Sequence, residues 1–242
     1  MPLLPSSLAA GLLMACGATA FAAGPSCRAE SRETLTPVIE LYTSEGCSSC
    51  PPADRWLSTL KNDAAGGKTV VQAFHVGYWD YIGWVDRFAT PAHTARQKQI
   101  AAANHLSGIY TPQVVRNGRD WRDFNRAVTS TEPAQARIAI QAGAPDAFEA
   151  SVTPLDAAAR WSAYWTVTEH GHASKVKAGE NAGELLRHDF VVRQYVPAGD
   201  YQGAAKLMLR AVPGEAGHAR QVNLVVFDKA SGKPLQALSL GC

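Results

Sequence analysis

The sequence predicts an α/β unit followed by an all-β unit, and three observations lead to this. Two apolar, β-rich runs at residues 38–43 and 69–76 enclose a run with helical spacing. Short alternating runs separated by Gly and Pro fill the chain after residue 133. Glu132-Pro133 marks the change between the two patterns. The 242 residues, 46% of them apolar, suffice for the cores of both units.

The start of the chain predicts a secretory signal peptide over residues 1–22. Residues 1–27 carry no charged side chain, and the apolar run LAAGLLMA at residues 8–15 is too short to span a bilayer. Ala20-Phe21-Ala22 offers a small-x-small cleavage site. Cleavage before Cys16 with lipid attachment is the alternative, but Met14 is atypical of that motif. We therefore expect a periplasmic or secreted protein without a membrane span.

Four cysteines remain after this cleavage, an even number that suits an oxidising compartment. Cys47 and Cys50 suffice for each other, so Cys27 and Cys242 are expected to form a structural disulfide joining the two ends. Loop entropy gives about 4–5 kcal/mol for so long a closure, as an upper estimate. Two unpaired terminal thiols are the alternative.

The first unit begins with a β-α-β order. The run VIELYT at residues 38–43 predicts a strand, and Ala53, Trp56, Leu57 and Leu60 follow at helical spacing. The run TVVQAFHV at residues 69–76 has the near-continuous apolar character of a buried central strand. This order favours a parallel strand pair with a right-handed crossover.

The rest of the first unit contains two helices and a hairpin in the prediction. Residues 77–88 are dense in aromatics, which we interpret as core, with groove lining as the alternative. Thr90-Pro91 predicts a helix start, and the helix continues to about residue 106. A strand pair follows Pro112 through the Asn117-Gly118 turn signal, and residues 121–131 favour a last helix.

The second unit is predicted to be a sandwich of short strands. Alternating apolar residues, such as Trp161, Ala163, Trp165 and Val167, recur in runs separated by turn residues. The predicted runs lie at 136–142, 147–153, 161–168, 188–196, 204–211 and 220–228. Such spacing is typical of an all-β sandwich.

The motif with the clearest chemistry is Cys47-Ser48-Ser49-Cys50, placed between the first strand and the first helix. Two thiols at this spacing suit reversible disulfide chemistry. The same spacing also makes half of a zinc site, but no second cysteine pair occurs in the chain.

The order of these elements is similar to the thioredoxin superfamily. The run YTSEGCSSC at residues 42–50 resembles the glutaredoxin active-site run. FHVGYWDY (74–81), TARQ (94–97), YTPQ (110–113) and GENAG (179–183) resemble a family of secreted bacterial thioredoxin-like proteins, domain of unknown function 1223. The resemblance implies an α/β thioredoxin-like domain, over residues 23–133, and the strand pattern predicts that an all-β sandwich-like domain follows over 134–242.

The resemblance also implies roles for four residues. Cys47 is expected to be the attacking thiolate, because a helix N-terminus and its free N–H groups favour an anion. Cys50 is the expected resolving thiol. Pro112 is the expected cis-proline facing the cysteines, with Thr111 before it, where its backbone would present an edge to an extended substrate segment.

Two further residues are accessory candidates. Glu40 lies on the strand before the cysteines, where a buried acid would assist proton transfer; a carboxylate in a salt bridge is the preferred interpretation. His75 ends the second strand, and a hydrogen-bonded structural histidine is preferred over a role at the thiols.

These observations predict a thiol–disulfide oxidoreductase that acts on protein cysteines and exchanges electrons with a redox partner, without a cofactor or metal. The alternative is a copper-binding chaperone using Cys47, Cys50 and His75. The sequence has only three Met, so a Met-rich copper site is absent. With 23 basic and 21 acidic residues spread without blocks, nothing points to nucleic acid. The sequence does not specify an oligomeric state.

Overall fold

Strands dominate the computed structural model, which describes residues 27–124 and 128–242. The helices of this part are α1 (Pro51–Ser58), α2 (Lys61–Ala65), α3 (Pro91–Ala103) and a 3₁₀ turn (Asp80–Ile82). The strands are β1 (Arg28–Glu30), β2 (Val38–Thr43), β3 (Val70–His75), β4 (Gln113–Arg116), β5 (Arg119–Asp120), β6 (Ala136–Ala142), β7 (Ala147–Pro154), β8 (Arg160–Glu169), β9 (His172–Lys175), β10 (Leu185–His188), β11 (Val191–Gln202), β12 (Ala205–Arg210), β13 (Arg220–Asp228) and β14 (Pro234–Gly241).

The strands assemble into three sheets. The largest has eight strands in the order β14-β13-β8-β11-β3-β2-β4-β5, and it mixes parallel with antiparallel pairs. A four-stranded sheet has the order β1-β6-β7-β12, and β9 and β10 form a separate pair. The site lies where β2, β3 and β10 approach α1.

The predicted fold class, an α/β thioredoxin-like domain followed by an all-β sandwich-like domain, is wrong. The described chain is mostly β-sheet, and one large mixed sheet takes strands from both sides of residue 133. The link is β3, which pairs in parallel with β11 at Ala73 and Val191. All six residues of β3 are buried, which its sequence indicates, but a hydrophobic run does not specify which strand lies beside it.

The local β-α-β prediction agrees with the structure. β2 and β3 pair in parallel from Val38–Val70 to Thr43–His75. α1 packs one face on these strands through Ala53 and Leu57. Of the predicted helix at 121–131, the described residues 121–124 and 128–131 form none.

Two turn signals also agree with the structure. Asn117 and Gly118 both have positive φ, 51° and 77°, and connect β4 to β5 as an antiparallel hairpin. The Thr90 hydroxyl accepts a hydrogen bond from the His93 N–H and caps α3, with Pro91 at its first position.

The main core lies between the four-stranded sheet and the β8–β13–β14 part of the large sheet. Alternate residues of β8 point into it, as their spacing predicts. The four-stranded sheet contributes Ile138, Ile140, Phe148, Ala150, Val152, Leu207 and Leu209. The large sheet contributes Trp161, Ala163, Trp165, Val167, Val222, Leu224, Val226, Leu238 and Leu240.

A buried ion pair connects the two halves of the large sheet. Arg96 on α3 binds Glu40 on β2 in bidentate fashion, with Nη2–Oε1 at 2.7 Å and Nε–Oε2 at 2.8 Å. The hydroxyls of Tyr42 and of Tyr164, the latter on β8, donate to the same carboxylate. The guanidinium also lies 4.1 Å from the Tyr164 ring. Glu40 therefore occupies a salt bridge, the preferred interpretation of its sequence context.

We expect an Arg96→Met substitution to lower the free energy of unfolding by about 3 kcal/mol, because it leaves the Glu40 carboxylate buried without its counter-ion. Urea unfolding measures this change. Lys206→Met is the matched control, because its partner Glu149 forms an exposed pair of the kind that contributes about 1 kcal/mol or less. Equal losses in the two variants would contradict the assignment.

The structure contains a disulfide between Cys27 and Cys242, with Cα atoms 6.0 Å apart. It connects the start of β1 to the end of β14, and so ties an edge of the four-stranded sheet to an edge of the large sheet. The expected signal peptide and Cys16 lie outside the described residues. Within residues 27–124 and 128–242, no helix has the length and apolar character needed to cross a bilayer.

Candidate functional site

Cys47 and Cys50 form a disulfide in the loop between β2 and α1, with Cα atoms 5.5 Å apart. Cys50 is the N-cap of α1, and Pro51 and Pro52 occupy its first positions. Free N–H groups were expected here, but the structure provides none. The two prolines lack an N–H, and the N–H groups of Ala53 and Asp54 donate to the Cys50 carbonyl. The helix dipole and the Ser49 hydroxyl, whose oxygen lies 3.4 Å from the Cys47 Sγ, are left to favour a thiolate at Cys47.

A loop from the C-terminal half of the chain holds the cysteine loop in place. The side-chain amide of Asn181 donates to the carbonyls of Glu45 and Cys47, at 2.9 and 3.0 Å. Glu180 accepts a hydrogen bond from the Ser48 N–H at 3.0 Å. Both residues belong to the GENAG run, to which the sequence assigned no role of its own, and the structure shows that they contact the cysteine loop.

The disulfide itself is covered. Cys47 is 1% exposed and Cys50 0% exposed, whereas Ser48 and Ser49 between them are exposed. The two serines, and not the sulfur atoms, are therefore the part of this loop that solvent reaches.

Trp79 connects the cysteine loop to the predicted proline. Its indole N–H donates to the Thr111 hydroxyl at 2.8 Å, and the Thr111–Pro112 peptide bond is cis. A Cβ on Gly46 would lie 2.9 Å from the Trp79 Cβ, so this close approach requires glycine. Trp79 thus lies against the cysteine loop on one side and fixes Thr111 on the other.

Two clefts border this arrangement. One, of about 450 Å³, is lined by Tyr110, Pro112, Val114, Trp121, Arg122 and Phe124. The other, of about 430 Å³, lies beside the start of α1 and includes Ser48, Pro51, Asp54, Glu180, Asn181 and His188. The first is lined by aromatic and apolar groups next to Pro112, and the second reaches polar residues beneath the cysteine loop.

A buried polar network lies directly behind the cysteines. Asp86 accepts hydrogen bonds from the Glu45 N–H at 2.9 Å and pairs with the His75 Nδ1 at 2.7 Å. The Glu45 carboxylate accepts from the Trp84 indole at 2.7 Å and lies 3.3 Å from the His188 Nε2. The His75 side chain is therefore hydrogen-bonded, which is the interpretation preferred from the sequence. It also belongs to a network that reaches Glu45, two residues before Cys47.

Opposite charges in this network stabilise one another. Burial alone would raise the pKa of Glu45, but His188 and the Trp84 indole outweigh it and lower that pKa. Burial would also raise the pKa of Asp86, but His75 and backbone N–H groups lower it. For His188 burial opposes charge, yet the facing carboxylates of Asp54 and Glu45 raise its pKa to about 9.

Glu40 does not join this site. Thr43 on β2 bonds to Asp54 on α1, whereas Glu40 bonds to Arg96 on α3. Residues 40 and 43 of one strand point to opposite faces, so Glu40 faces away from α1. Four residues of this site were not predicted from the sequence: Glu45, Asp54, Asp86 and His188. The only signal was that the first two lie within four residues of the Cys-x-x-Cys, one on each side.

His93 on α3 gives this region a defined pH dependence. It is 2% exposed, its Nδ1 donates to the His75 carbonyl at 3.0 Å, and burial lowers its pKa to about 4. The unfolded chain takes up this proton near the ordinary pKa of about 6.5, so stability is lost as pH falls from there to about 4. We expect the loss from this group to approach about 3 kcal/mol.

Urea unfolding at a series of pH values checks this expectation. His93→Gln retains a donor toward the His75 carbonyl but does not titrate, so its stability should fall less steeply below pH 6.5. His105→Gln, at an exposed position, should follow the wild-type curve. Parallel curves for His93→Gln and wild type would contradict the assignment.

Comparison with solved structures shows two similar chains. Protein AGR_C_4864 from Agrobacterium tumefaciens is 25% identical, with a TM-score of 0.65 over 87% of this chain and 96% of that one. HBP35 of Porphyromonas gingivalis is 12% identical, with a TM-score of 0.56 over 86% of this chain and 76% of that one, and this shows similarity of fold alone. No curated protein matches the chain.

A protein family matches residues 38–228, which include the cysteine loop, Thr111-Pro112, the Asn181 loop and His188. Its description is "Protein of unknown function (DUF1223)". The match covers most of the 242 residues. The chain therefore belongs to the DUF1223 family.

Proposed function

We propose that the chain is a thiol–disulfide oxidoreductase that acts on protein cysteines through Cys47 and Cys50. The observation that carries the proposal is their disulfide, closed over two residues at the start of α1 and held there by Asn181 and Trp79. The resemblance of residues 42–50 to the glutaredoxin active-site run supports the same chemistry. The proposal does not depend on the overall fold.

In the proposed reaction the reduced Cys47 thiolate attacks one sulfur of a substrate disulfide. A Cys47–substrate disulfide forms, and the second substrate sulfur leaves as a thiolate. The Cys50 thiolate then attacks the Cys47 sulfur, which forms the Cys47–Cys50 disulfide and releases the first substrate sulfur as a thiolate. A thiol-bearing redox partner must return two electrons to the pair, and the same steps in reverse oxidise a substrate dithiol.

The surroundings favour a peptide as substrate. The cleft beside Pro112 offers Tyr110 and Trp121 as aromatic walls. Tyr81 and Val85, which follow Trp79 in the chain, are 80% and 70% exposed and add apolar surface that a peptide could contact. We expect flexible segments with an apolar residue near the cysteine to be better substrates than small thiols.

A periplasmic or secreted location is part of the proposal. It rests on the signal-like start of the sequence and on the two disulfides, which persist in oxidising compartments.

Trapping of the mixed disulfide tests this function. Cys50→Ser, reduced at the active site and mixed with a cysteine peptide carrying an aryl-thiol leaving group, should gain the mass of one peptide at Cys47. The Cys47→Ser/Cys50→Ser variant is the control and should gain none. If Cys47 of the unfolded chain reacts under the same conditions and Cys47 of the folded chain does not, the proposed role is wrong.

The copper-delivery alternative uses the same thiols in reduced form together with His75. In the structure the two thiols are oxidised, and His75 lies with Asp54 and His188 rather than with the cysteines in a group of possible metal ligands. No contact among the described residues favours copper delivery over disulfide exchange, and titration of the reduced protein with Cu(I) separates the two functions.

A further inference from the structure

Three buried side chains from different elements converge beneath the cysteine loop. Asp54 of α1, His75 of β3 and His188 of β10 each place one donor atom within 4.8 Å of the other two. The two imidazole rings stand 4.8 Å apart and nearly perpendicular, at 83°. Ligands of one tetrahedral zinc ion lie about 3.3 Å apart, so closure on an ion needs shifts of about 1 Å.

The nitrogen atoms that face this point have no hydrogen bond. The Nε2 of His75 is buried and unpartnered, because Asp86 uses the opposite nitrogen. Neither ring nitrogen of His188 makes a hydrogen bond of good geometry, although its Nε2 lies 3.3 Å from the Glu45 Oε1 and its Nδ1 3.7 Å from the Asp54 Oδ1, and a bound metal ion would replace the proton that these carboxylates favour. Buried polar atoms without partners are rare and costly, so their concentration at one point indicates an occupant.

Carboxylates behind the histidines complete a pattern typical of metal sites. Asp86 binds His75 on the nitrogen opposite the free one, and Glu45 lies beside the His188 Nε2 at 3.3 Å, opposite the Nδ1. Such carboxylate–histidine pairs orient the ring of a metal ligand and raise its basicity. Asp54, Asp86 and Glu45 also give the buried cluster more acidic than basic groups, which a divalent cation would balance.

We propose that Asp54, His75 and His188 bind a divalent transition-metal ion of the zinc class. Two imidazoles and one carboxylate are ligands that zinc accepts, and three protein ligands leave a fourth position for water. The cleft of about 430 Å³ that includes Asp54 and His188 provides the route of access. The site does not depend on the proposed disulfide exchange, because neither cysteine is a ligand.

A second histidine cluster serves as a comparison. His172, Glu215 and His218 also bring donor atoms together, and the His172 Nδ1 has no hydrogen bond, but Glu215 and His218 are not buried. The Arg193 guanidinium already pairs with the Glu215 carboxylate at 2.9 Å, so a cation there would meet an existing positive charge. We therefore assign the metal to the first cluster.

Titration of the oxidised, metal-free protein with Zn²⁺ tests the site. Wild type should bind one ion per chain. His188→Gln should bind at least about tenfold more weakly, whereas His218→Gln should bind like wild type. The Cys47→Ser/Cys50→Ser variant should also bind like wild type, although it cannot exchange disulfides.

Co²⁺ provides a measurement on wild type that requires no variant, because its visible absorption reports four-coordinate ligation by nitrogen and oxygen. Circular dichroism establishes whether the His188→Gln variant is folded. If that variant is unfolded, Asp54→Asn is used as the ligand variant instead. Absence of Zn²⁺ binding in wild type, undiminished binding in the ligand variants, or loss of binding in the cysteine variant would each overturn the assignment. None of these results would by itself remove the proposed exchange at Cys47.

Discussion

Replacement of Cys47 by serine is expected to lower the rate of catalysed disulfide exchange by about three orders of magnitude or more, to the uncatalysed background. A serine oxygen cannot form the sulfur–sulfur bond of the mixed disulfide, so the first step is lost. The measurement is the rate of insulin disulfide reduction with a thiol reductant. Cys50→Ser should differ, because it still forms the mixed disulfide at Cys47 but releases it slowly.

The control for this experiment is Cys27→Ser/Cys242→Ser, assayed at a temperature where it is folded. That pair lies at the junction of two sheet edges rather than beside α1, so its loss should leave the exchange rate unchanged. Equal rates for Cys47→Ser and wild type would remove the catalytic role.

Loss of the Cys27–Cys242 disulfide is expected to lower the free energy of unfolding by up to about 4–5 kcal/mol. The bond closes a loop of 215 residues, so its absence releases much chain entropy in the unfolded state. It also ties together β1 and β14, which are edge strands of two different sheets. Urea unfolding of Cys27→Ser/Cys242→Ser against wild type measures the change.

The matched control is Cys47→Ser/Cys50→Ser, whose disulfide spans three residues and should contribute about 2 kcal/mol by the same entropy argument. A smaller loss for the terminal pair than for this short loop would contradict the account of the terminal disulfide.

Local signals in the sequence predicted local structure well. The apolar runs at 38–43 and 69–76 formed the parallel pair β2 and β3, Thr90-Pro91 began α3, and Asn117-Gly118 formed its hairpin. Each of these depends on residues close in sequence, where periodicity and turn chemistry act directly.

The arrangement of the halves could not be predicted in the same way. The pairing of β3 with β11 joins Ala73 to Val191, and nothing in either strand specifies the other. The change of pattern at Glu132-Pro133 suggested two separate units, whereas the large sheet passes across it. The local β-α-β order was predicted correctly. The resemblance to thioredoxin-like proteins then led to the prediction of a whole α/β domain, which is wrong.

The residues of the candidate site also divide into those with a local sequence signal and those that only the fold brings together. Cys47 and Cys50 were visible because their chemistry lies in a contiguous motif, and the cis bond at Thr111-Pro112 was expected only from the resemblance to thioredoxin-like proteins. His188 reaches Glu45 and Asp54 from more than 130 residues away in sequence, and a single histidine gives no signal of such a contact.

The central claim is that the Cys47–Cys50 pair is redox-active, and its reduction potential tests this most directly. The intact protein is equilibrated with thiol–disulfide buffers and alkylated, and mass spectrometry resolves each cysteine pair. We predict a potential between about −270 and −120 mV for Cys47–Cys50, the range of exchange enzymes. A potential below about −300 mV, as for a structural disulfide, would contradict the claim.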